Sequence, residues 1–346
     1  MRIVLGSQSP RRKKLLNEAG YVIEVLPAHF DEASIRHNDP VTLTQSLARA
    51  KNETLKQRVS GAPIIITADT VVVFEGDIFE KASSEREAYE WISQYQGKSI
   101  RVVTSHMIYD MQTDNHYEHT SHADILFHQI PEDTRLQLAL NAYNASVAGG
   151  FHMSDPLLRP YVTFTGSESV ILGLDIGWVQ SILISIEKVH VRNRLREVYY
   201  KSDLSQYVLD GMRLIEQDAF FQEARTVYAY KAIPRLEIPF IQALMEKYPE
   251  KKWLFPIVEG DSMHFTKGFT EKIVEPSCML VPALALEPRG GRLGKGKGFY
   301  DAFLAAHTNL QVRTISIVPD FALLPSLPIA THDISITKVY CAKQTR

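Results

Sequence analysis

The sequence predicts an α/β protein of two domains, and three observations carry that expectation. Apolar runs of strand length alternate with stretches of helical spacing along the whole chain. Its 346 residues are about twice the ~150 typical of one domain. The pattern also changes once, around residues 174–186, where short strands give way to a long basic helix-like stretch, Glu187 to Tyr200. The domains are therefore placed at 1–183 and 186–346, with a short linker between them.

In the first domain the strand-like runs are Ile3 to Leu5, Ile64 to Phe74, Val102 to Tyr109 and Ala123 to Phe127. Helices are expected after Pro10, Val41 and Ser84. Pro10 suits a first helical turn, and Leu15, Leu16 and Ala19 follow at helical spacing. Arg11 and Arg12 then fall in that first turn, where the helix dipole opposes them unless an anion is bound. In the second domain helices run to about Ala224. Strands follow at Val227 to Ala229, Trp253 to Val258, Cys278 to Leu286 and Val312 to Val318, with a helix over Phe299 to His307.

A net charge of −2 argues against broad nucleic-acid binding and leaves local basic clusters to meet small anions. Nucleic acid is not an expected partner. The two cysteines, Cys278 and Cys341, form no close Cys/His cluster, which suits a reducing cytosol. No apolar run reaches membrane-spanning length, so a cytoplasmic protein without a membrane partner is expected.

The run Gly290-Gly291-Arg292-Leu293-Gly294-Lys295-Gly296-Lys297-Gly298-Phe299-Tyr300-Asp301 lies between a strand-like and a helix-like stretch. It reads as a phosphate cradle, in which glycines free backbone N–H groups to surround an anion and Arg292, Lys295 and Lys297 add charge. A P-loop would need Ser or Thr where Gly298 stands, and the G-x-G-x-x-G spacing of a dinucleotide loop is absent.

At the other end, Ser7-Gln8-Ser9-Pro10-Arg11-Arg12, Asp31-Glu32, Leu47-Ala48-Arg49-Ala50-Lys51, Thr67-Ala68-Asp69-Thr70 and Glu80-Lys81 follow in order. With Val147-Ala148-Gly149-Gly150 and Gly166-Ser167, they make residues 1–183 resemble the Maf family of nucleoside triphosphate pyrophosphatases. The resemblance implies a mixed-sheet domain of Maf/ITPase type that cuts between the α and β phosphates. It makes Asp69 the base, Glu32 a Mg²⁺ ligand beside it, and Lys51 and Lys81 catalytic cations. Ser7, Arg11, Arg12 and Thr70 become nucleotide contacts, and a homodimer through this domain is compatible. A carboxylate of ordinary pKa, near 4, is a poor base toward free water, so a metal is expected to help. Val147 and Ser154 stand where the family has lysine and glutamine, Ile100 where it has histidine and Val170 where it has asparagine. An alternative is thus a nucleotide-binding regulatory domain that no longer turns over.

Arg292-Leu293-Gly294-x-Gly296-x-Gly298-Phe299-Tyr300-Asp301 resembles the signature of 5-formyltetrahydrofolate cyclo-ligase. Lys188-Val189-His190-Val191-Arg192, Glu237-Ile238, Phe255-Pro256, Gly260, Met263, Glu275-Pro276 and His332-Asp333 support it. This resemblance implies a doubly wound domain with ATP as co-substrate and a reduced folate as the second ligand. ATP phosphorylates the formyl oxygen, N10 attacks the activated carbon, and phosphate leaves. Arg292 is then catalytic, while Lys188, Arg192, Gly294, Lys295, Gly296, Lys297, Gly298 and Tyr300 bind nucleotide. Glu237 and Met263 contact the folate, and Asp301 and Asp333 hold Mg²⁺.

Overall fold

The computed structural model describes residues 1–141, 144, 146–265, 276–307, 312–330 and 333–345. The motif residues Glu275 and His332 lie outside the described residues. The chain divides into two compact units, Met1–Leu183 and Ile184–Arg346.

The first unit is built on one mixed sheet. Its strands are β1 (Ile3–Leu5), β2 (Ile23–Val25), β3 (Ile64–Phe74), β4 (Asp77–Phe79), β5 (Ser99–Asp110), β6 (Asn115–Phe127) and β7 (Val162–Thr165). The order is β2-β1-β3-β5-β6-β7, with β4 turned back on β3. β1 runs parallel to both neighbours, and β3, β5, β6 and β7 pair antiparallel. β3 is the axis because nine of its eleven residues are buried, as its near-continuous apolar sequence requires.

Helix α1 (Pro10–Glu18) begins where expected, with Ser9 as its cap accepting from Arg12 N. Helix α2 (Pro40–Lys56) is capped by Asp39, whose carboxylate accepts from Thr42 N at 2.7 Å. Its buried stripe runs Leu43, Leu47, Lys51, Leu55 at four-residue spacing. A lysine therefore occupies a core position. Helices α3 (Glu85–Gln94), α4 (Glu132–Leu140) and α5 (Glu168–Ile171) complete the unit.

No linker separates the units. The division after Leu183 lies within the expected 174–186, but it falls inside a single helix, α6 (Ile176–Lys201), where the sequence predicts a short linker. The apolar residues Val179, Leu183 and Ile186 continue one helical spacing, all fully buried, and neither proline nor glycine follows Gly177 to stop it.

Buried His106 fixes the entry to α6. Its Nε2 accepts the Asp175 N–H at 2.8 Å, so its proton sits on Nδ1, which faces the His119 carbonyl at 3.3 Å. Burial holds this imidazole down at about 4. An unfolded histidine protonates near 6.5, so between those values the unfolded chain holds the extra proton and stability falls as pH drops. Urea midpoints across pH 7 to 4 are expected to show a loss of about 3 kcal/mol that His106→Gln flattens. An unchanged slope in that variant would refute the assignment.

The second unit carries helices α7 (Val208–Glu216), α8 (Ala219–Glu223) and α9 (Ile241–Lys247), and strands β8 (Thr226–Tyr228), β9 (Lys252–Leu254), β10 (Ile257–Glu259) and β11 (Ser262–His264). After these come β12 (Ser277–Leu280), β13 (Ala285–Leu286), β14 (Arg292–Leu293), α10 (Phe299–Ala306), β15 (Arg313–Pro319) and β16 (Lys338–Ala342). The main sheet is parallel throughout, in the order β16-β15-β12-β8-β9. Chain order therefore reverses between β8 and β12, and in sheets of this kind ligands bind outside the carboxyl ends at that point.

Two expected strands are each broken by a proline. Trp253 to Val258 divides at Pro256 into β9 and β10, the latter forming an antiparallel hairpin with β11. Cys278 to Leu286 divides at Pro282 into β12 and β13. Proline has no N–H for the ladder.

Candidate active sites

In the first unit a cleft of about 860 Å³ opens at the carboxyl end of β1, lined by Ser7, Arg11, Arg12, Glu32, Lys51, Asp69, Thr70 and Lys81. All eight residues expected there thus gather in one place. Asp69 is brought in by β3 and Lys51 by the buried stripe of α2. Lys51 Nζ lies 2.6 Å from Asp69 Oδ1 and 2.9 Å from Glu32 Oε1, so one ammonium bridges two carboxylates. Lys81, exposed, stands 3.9 Å from the other oxygen of Glu32.

The two carboxylates are tuned in opposite directions. Burial pushes Asp69 above the ordinary carboxylate value, although Lys51 and Arg12 work against it. Burial also acts to raise the more exposed Glu32, but there Lys51, by charge and hydrogen bond, together with Lys81 and Arg12, prevails and lowers it. One group is suited to take a proton and the other to stay charged.

Arg12 turns inward. Its Nε donates to the Gly173 carbonyl at 2.7 Å, Nη1 to Ala68 O and Ser7 Oγ, and Nη2 to Thr70 Oγ1 at 3.0 Å. Burial lowers its pKa to about 10. Thr104 donates to Val170 O, which leaves its oxygen to accept from Thr70 at 3.0 Å. The relay Arg12, Thr70, Thr104 fixes Ser7 and Thr70 in the cleft wall. Arg12 thus positions other groups, and the first-turn arginine that the dipole opposes is compensated by carbonyl oxygens.

The far wall is apolar, with Val147, Phe151, Met153 and Ile171. Ser154 is exposed and its N–H meets His152, while Ile100 and Val170 are buried in the core. Thr104 and the Gly173 carbonyl were missed by sequence reasoning, since nothing local marks a residue that acts through a neighbour.

In the second unit the β8/β12 switch point collects the other set. The segment after β8 carries Glu237, and the hairpin after β12 carries Arg292 and the glycine loop. Arg292, 6% exposed, donates to Pro282 O at 3.0 Å and Asp301 Oδ2 at 2.6 Å. Lys188 Nζ meets Asp333 Oδ2 at 2.6 Å, an oxygen that also accepts from Ala330 N. Lys295 Nζ lies 2.5 Å from Glu237 Oε1. Each of these cations is thereby paired with an acid.

Arg192 Nε donates to Gly294 O at 2.9 Å, and Arg196, one turn further, reaches Lys295 O at 3.3 Å. Burial, with Arg196 nearby, lowers Arg192. Continuing the Lys188, Arg192 spacing by four residues would have found Arg196. Gly298 caps α10 at φ +71°, a conformation that disfavours a side chain, and a Cβ on Gly294 would come within 2.8 Å of the Arg292 guanidinium. Lys297 is exposed, Gly296 sits beside Arg192, and Met263 packs in β11 against the core. Tyr300 is half-buried, with its hydroxyl raised by burial and by Glu237.

Among the described residues no group of three or more His, Cys, Asp or Glu side chains forms a metal cage. Among the described residues no helix is long and apolar enough to cross a membrane.

Known proteins match both units. Residues 2–186 fit the model of the family described as Maf-like protein, and residues 266–342 that of the 5-formyltetrahydrofolate cyclo-ligase family. The chain is 31% identical over 196 residues to a 7-methyl-GTP pyrophosphatase of Dictyostelium discoideum, covering 54% of this chain and 98% of that one. It is 27% identical over 183 residues to a nucleoside triphosphate pyrophosphatase of Thermosynechococcus vestitus, covering 53% and 92%. Among solved structures, a 5,10-methenyltetrahydrofolate synthetase of Mycoplasma pneumoniae is 22% identical with a TM-score of 0.38, covering 44% of this chain and 97% of that one. With more than half its length matched by that model, the chain belongs to the Maf-like protein family.

Proposed function

We propose that the first unit hydrolyses nucleoside triphosphates to monophosphate and pyrophosphate, and that the second closes 5-formyltetrahydrofolate to 5,10-methenyltetrahydrofolate with ATP. The observation that carries the first reading is the Lys51 bridge between Asp69 and Glu32 in the cleft. Asp69, with its raised pKa, takes the proton of an attacking water. Arg11 and Lys81 on the cleft wall face the charge that develops on the leaving pyrophosphate.

Glu32 and Asp69 offer two hard oxygen donors, which fits Mg²⁺ held by one or two carboxylates with phosphate oxygens and water completing its shell. When bound, the ion lowers the pKa of its water and neutralises phosphate charge. Asp301 and Asp333, each facing one cation, fit an ion held chiefly by a nucleotide's phosphates.

For the second unit, the switch point and its cations support binding of a triphosphate, and transfer to a formyl oxygen needs positioning and charge neutralisation above all. The reducing cytosol suits both activities. Purified protein incubated with each nucleoside triphosphate, and separately with ATP plus 5-formyltetrahydrofolate, is expected to release pyrophosphate and to form methenyl-folate absorbance. Nucleotide binding without pyrophosphate release would instead make the first unit a regulatory domain.

The base must be ionised to act, so kcat/KM for pyrophosphate release is expected to fall as pH drops through a midpoint above the ordinary carboxylate value of about 4. Lys51→Met, which removes the charge opposing that shift, is expected to move the midpoint higher. A midpoint at or below 4 in the unmodified protein would contradict Asp69 as base.

A further inference from the structure

The reading of the second unit gives Lys295 to the nucleotide and Glu237 to the folate, yet these two side chains hold each other. Lys295 Nζ stands 2.5 Å from Glu237 Oε1, and the Glu237 side chain is 2% exposed against 25% for Lys295. The other oxygen, Oε2, accepts the Ile233 N–H at 2.7 Å. The charge of this carboxylate helps raise the hydroxyls of Tyr199, Tyr230 and Tyr300, and those of Tyr199 and Tyr300 are buried without a hydrogen-bond partner. In such a site an anion needs its counter-ion.

Three other cations of the cluster are otherwise engaged. Arg292 is spent on Asp301 and Pro282 O, Lys188 on Asp333, and Arg192 Nε on Gly294 O. Lys295 is more exposed than Lys188 or Arg292 and sits beside Gly296, whose φ of +107° is a conformation that favours glycine. It is also the side chain that ties the glycine loop to the segment after β8.

We propose that the Lys295–Glu237 ion pair is an internal lock that couples the two ligand positions, so that nucleotide binding precedes and promotes folate binding. This rests on the cyclo-ligase reading. A triphosphate competes for the Lys295 ammonium with several negative oxygens where Glu237 offers one charge. Once Lys295 turns to phosphate, the buried carboxylate is left without its cation, and the N–H donors on a pterin edge satisfy it. Before that, the same donors must compete with an ammonium already in place. By linkage the effect is reciprocal, so bound folate also strengthens nucleotide binding.

Calorimetric titration of the full chain with a non-hydrolysable ATP analogue and with 5-formyltetrahydrofolate, each alone and with the other saturating, tests this. In the unmodified protein each ligand is expected to tighten the other about tenfold, within the usual range of such couplings. Glu237→Gln should bind the nucleotide analogue several-fold more tightly than the unmodified protein, because Lys295 is released, and its coupling factor should fall to about one. Lys295→Gln should bind the folate with an affinity independent of nucleotide. Unmodified protein that binds both ligands without coupling overturns the lock while leaving the cyclo-ligase reading intact. So does a Glu237→Gln variant that binds nucleotide no more tightly and keeps the coupling. Unmodified protein that binds no folate removes the cyclo-ligase reading, and the lock with it.

Discussion

Asp69→Asn is expected to lower pyrophosphate release by about 10²- to 10⁴-fold, the usual contribution of a positioned general base, and to leave methenyl-folate formation unchanged. The substitution keeps shape and removes the proton acceptor, together with the negative charge that Asp69 offers Lys51 and a metal ion. Glu32 remains 2.9 Å from Lys51, so the buried ammonium still has a counter-ion and the unit is expected to fold. Pyrophosphate release at the unmodified rate would dismiss Asp69 as base, and a parallel fall in the folate reaction would count against independent sites. Glu32→Gln should separate the two carboxylates, weakening activation by Mg²⁺ without moving the acid limb of the pH profile to that of a protein lacking its base.

Arg292→Ala is expected to abolish the folate reaction and to destabilise the second unit by about 3 kcal/mol, the lower end for breaking a buried ion pair, because Asp301 keeps some exposure. The guanidinium is nearly inaccessible and holds the Pro282 carbonyl and the Asp301 carboxylate together, so its removal loosens the hairpin that carries the glycine loop. Urea unfolding of the full chain, with pyrophosphate release as the marker of an intact first unit, checks this. Loss of the folate reaction at unchanged stability would make Arg292 a group that acts on substrate, and loss of both together would make it a positioning residue.

The cations and acids of the second unit were expected to divide between phosphate and metal, and the structure pairs them with one another. Lys188 with Asp333, Arg292 with Asp301 and Lys295 with Glu237 are charges that a ligand-free site must neutralise internally, since an unpartnered buried charge is costly. On the proposed reading, binding a triphosphate there would be an exchange of partners. Sequence spacing names the members of such a set but carries no sign of which acid each cation holds while it waits.

Local chemistry was legible throughout. Ser9 and Pro10 start α1, Asp39 starts α2, the apolar run Ile64 to Phe74 is β3 to the residue, and the glycine loop precedes a helix. Each depends on dihedral preference, capping or burial of contiguous side chains, which neighbours in the chain decide. Where a proline stood inside an apolar run, at Pro256 and Pro282, the strand ended, and its missing N–H was the available warning. The boundary near 183 was placed by a change of pattern, yet one helix spans it, because an uninterrupted apolar spacing outweighs a change in polar composition.

The sequence by itself determined the residue types, the order of strands and helices, and the two motif sets that gather at the β1 cleft and at the β8/β12 switch point. Only the tertiary structure decided that Lys51 bridges Asp69 and Glu32, that Arg12 braces Thr70, and that Lys295 holds Glu237. Those contacts join residues between 18 and 58 positions apart, so no local preference encodes them. They follow from sheet order, which sets which strand ends meet, and from burial, which forces each charge brought there to find a partner.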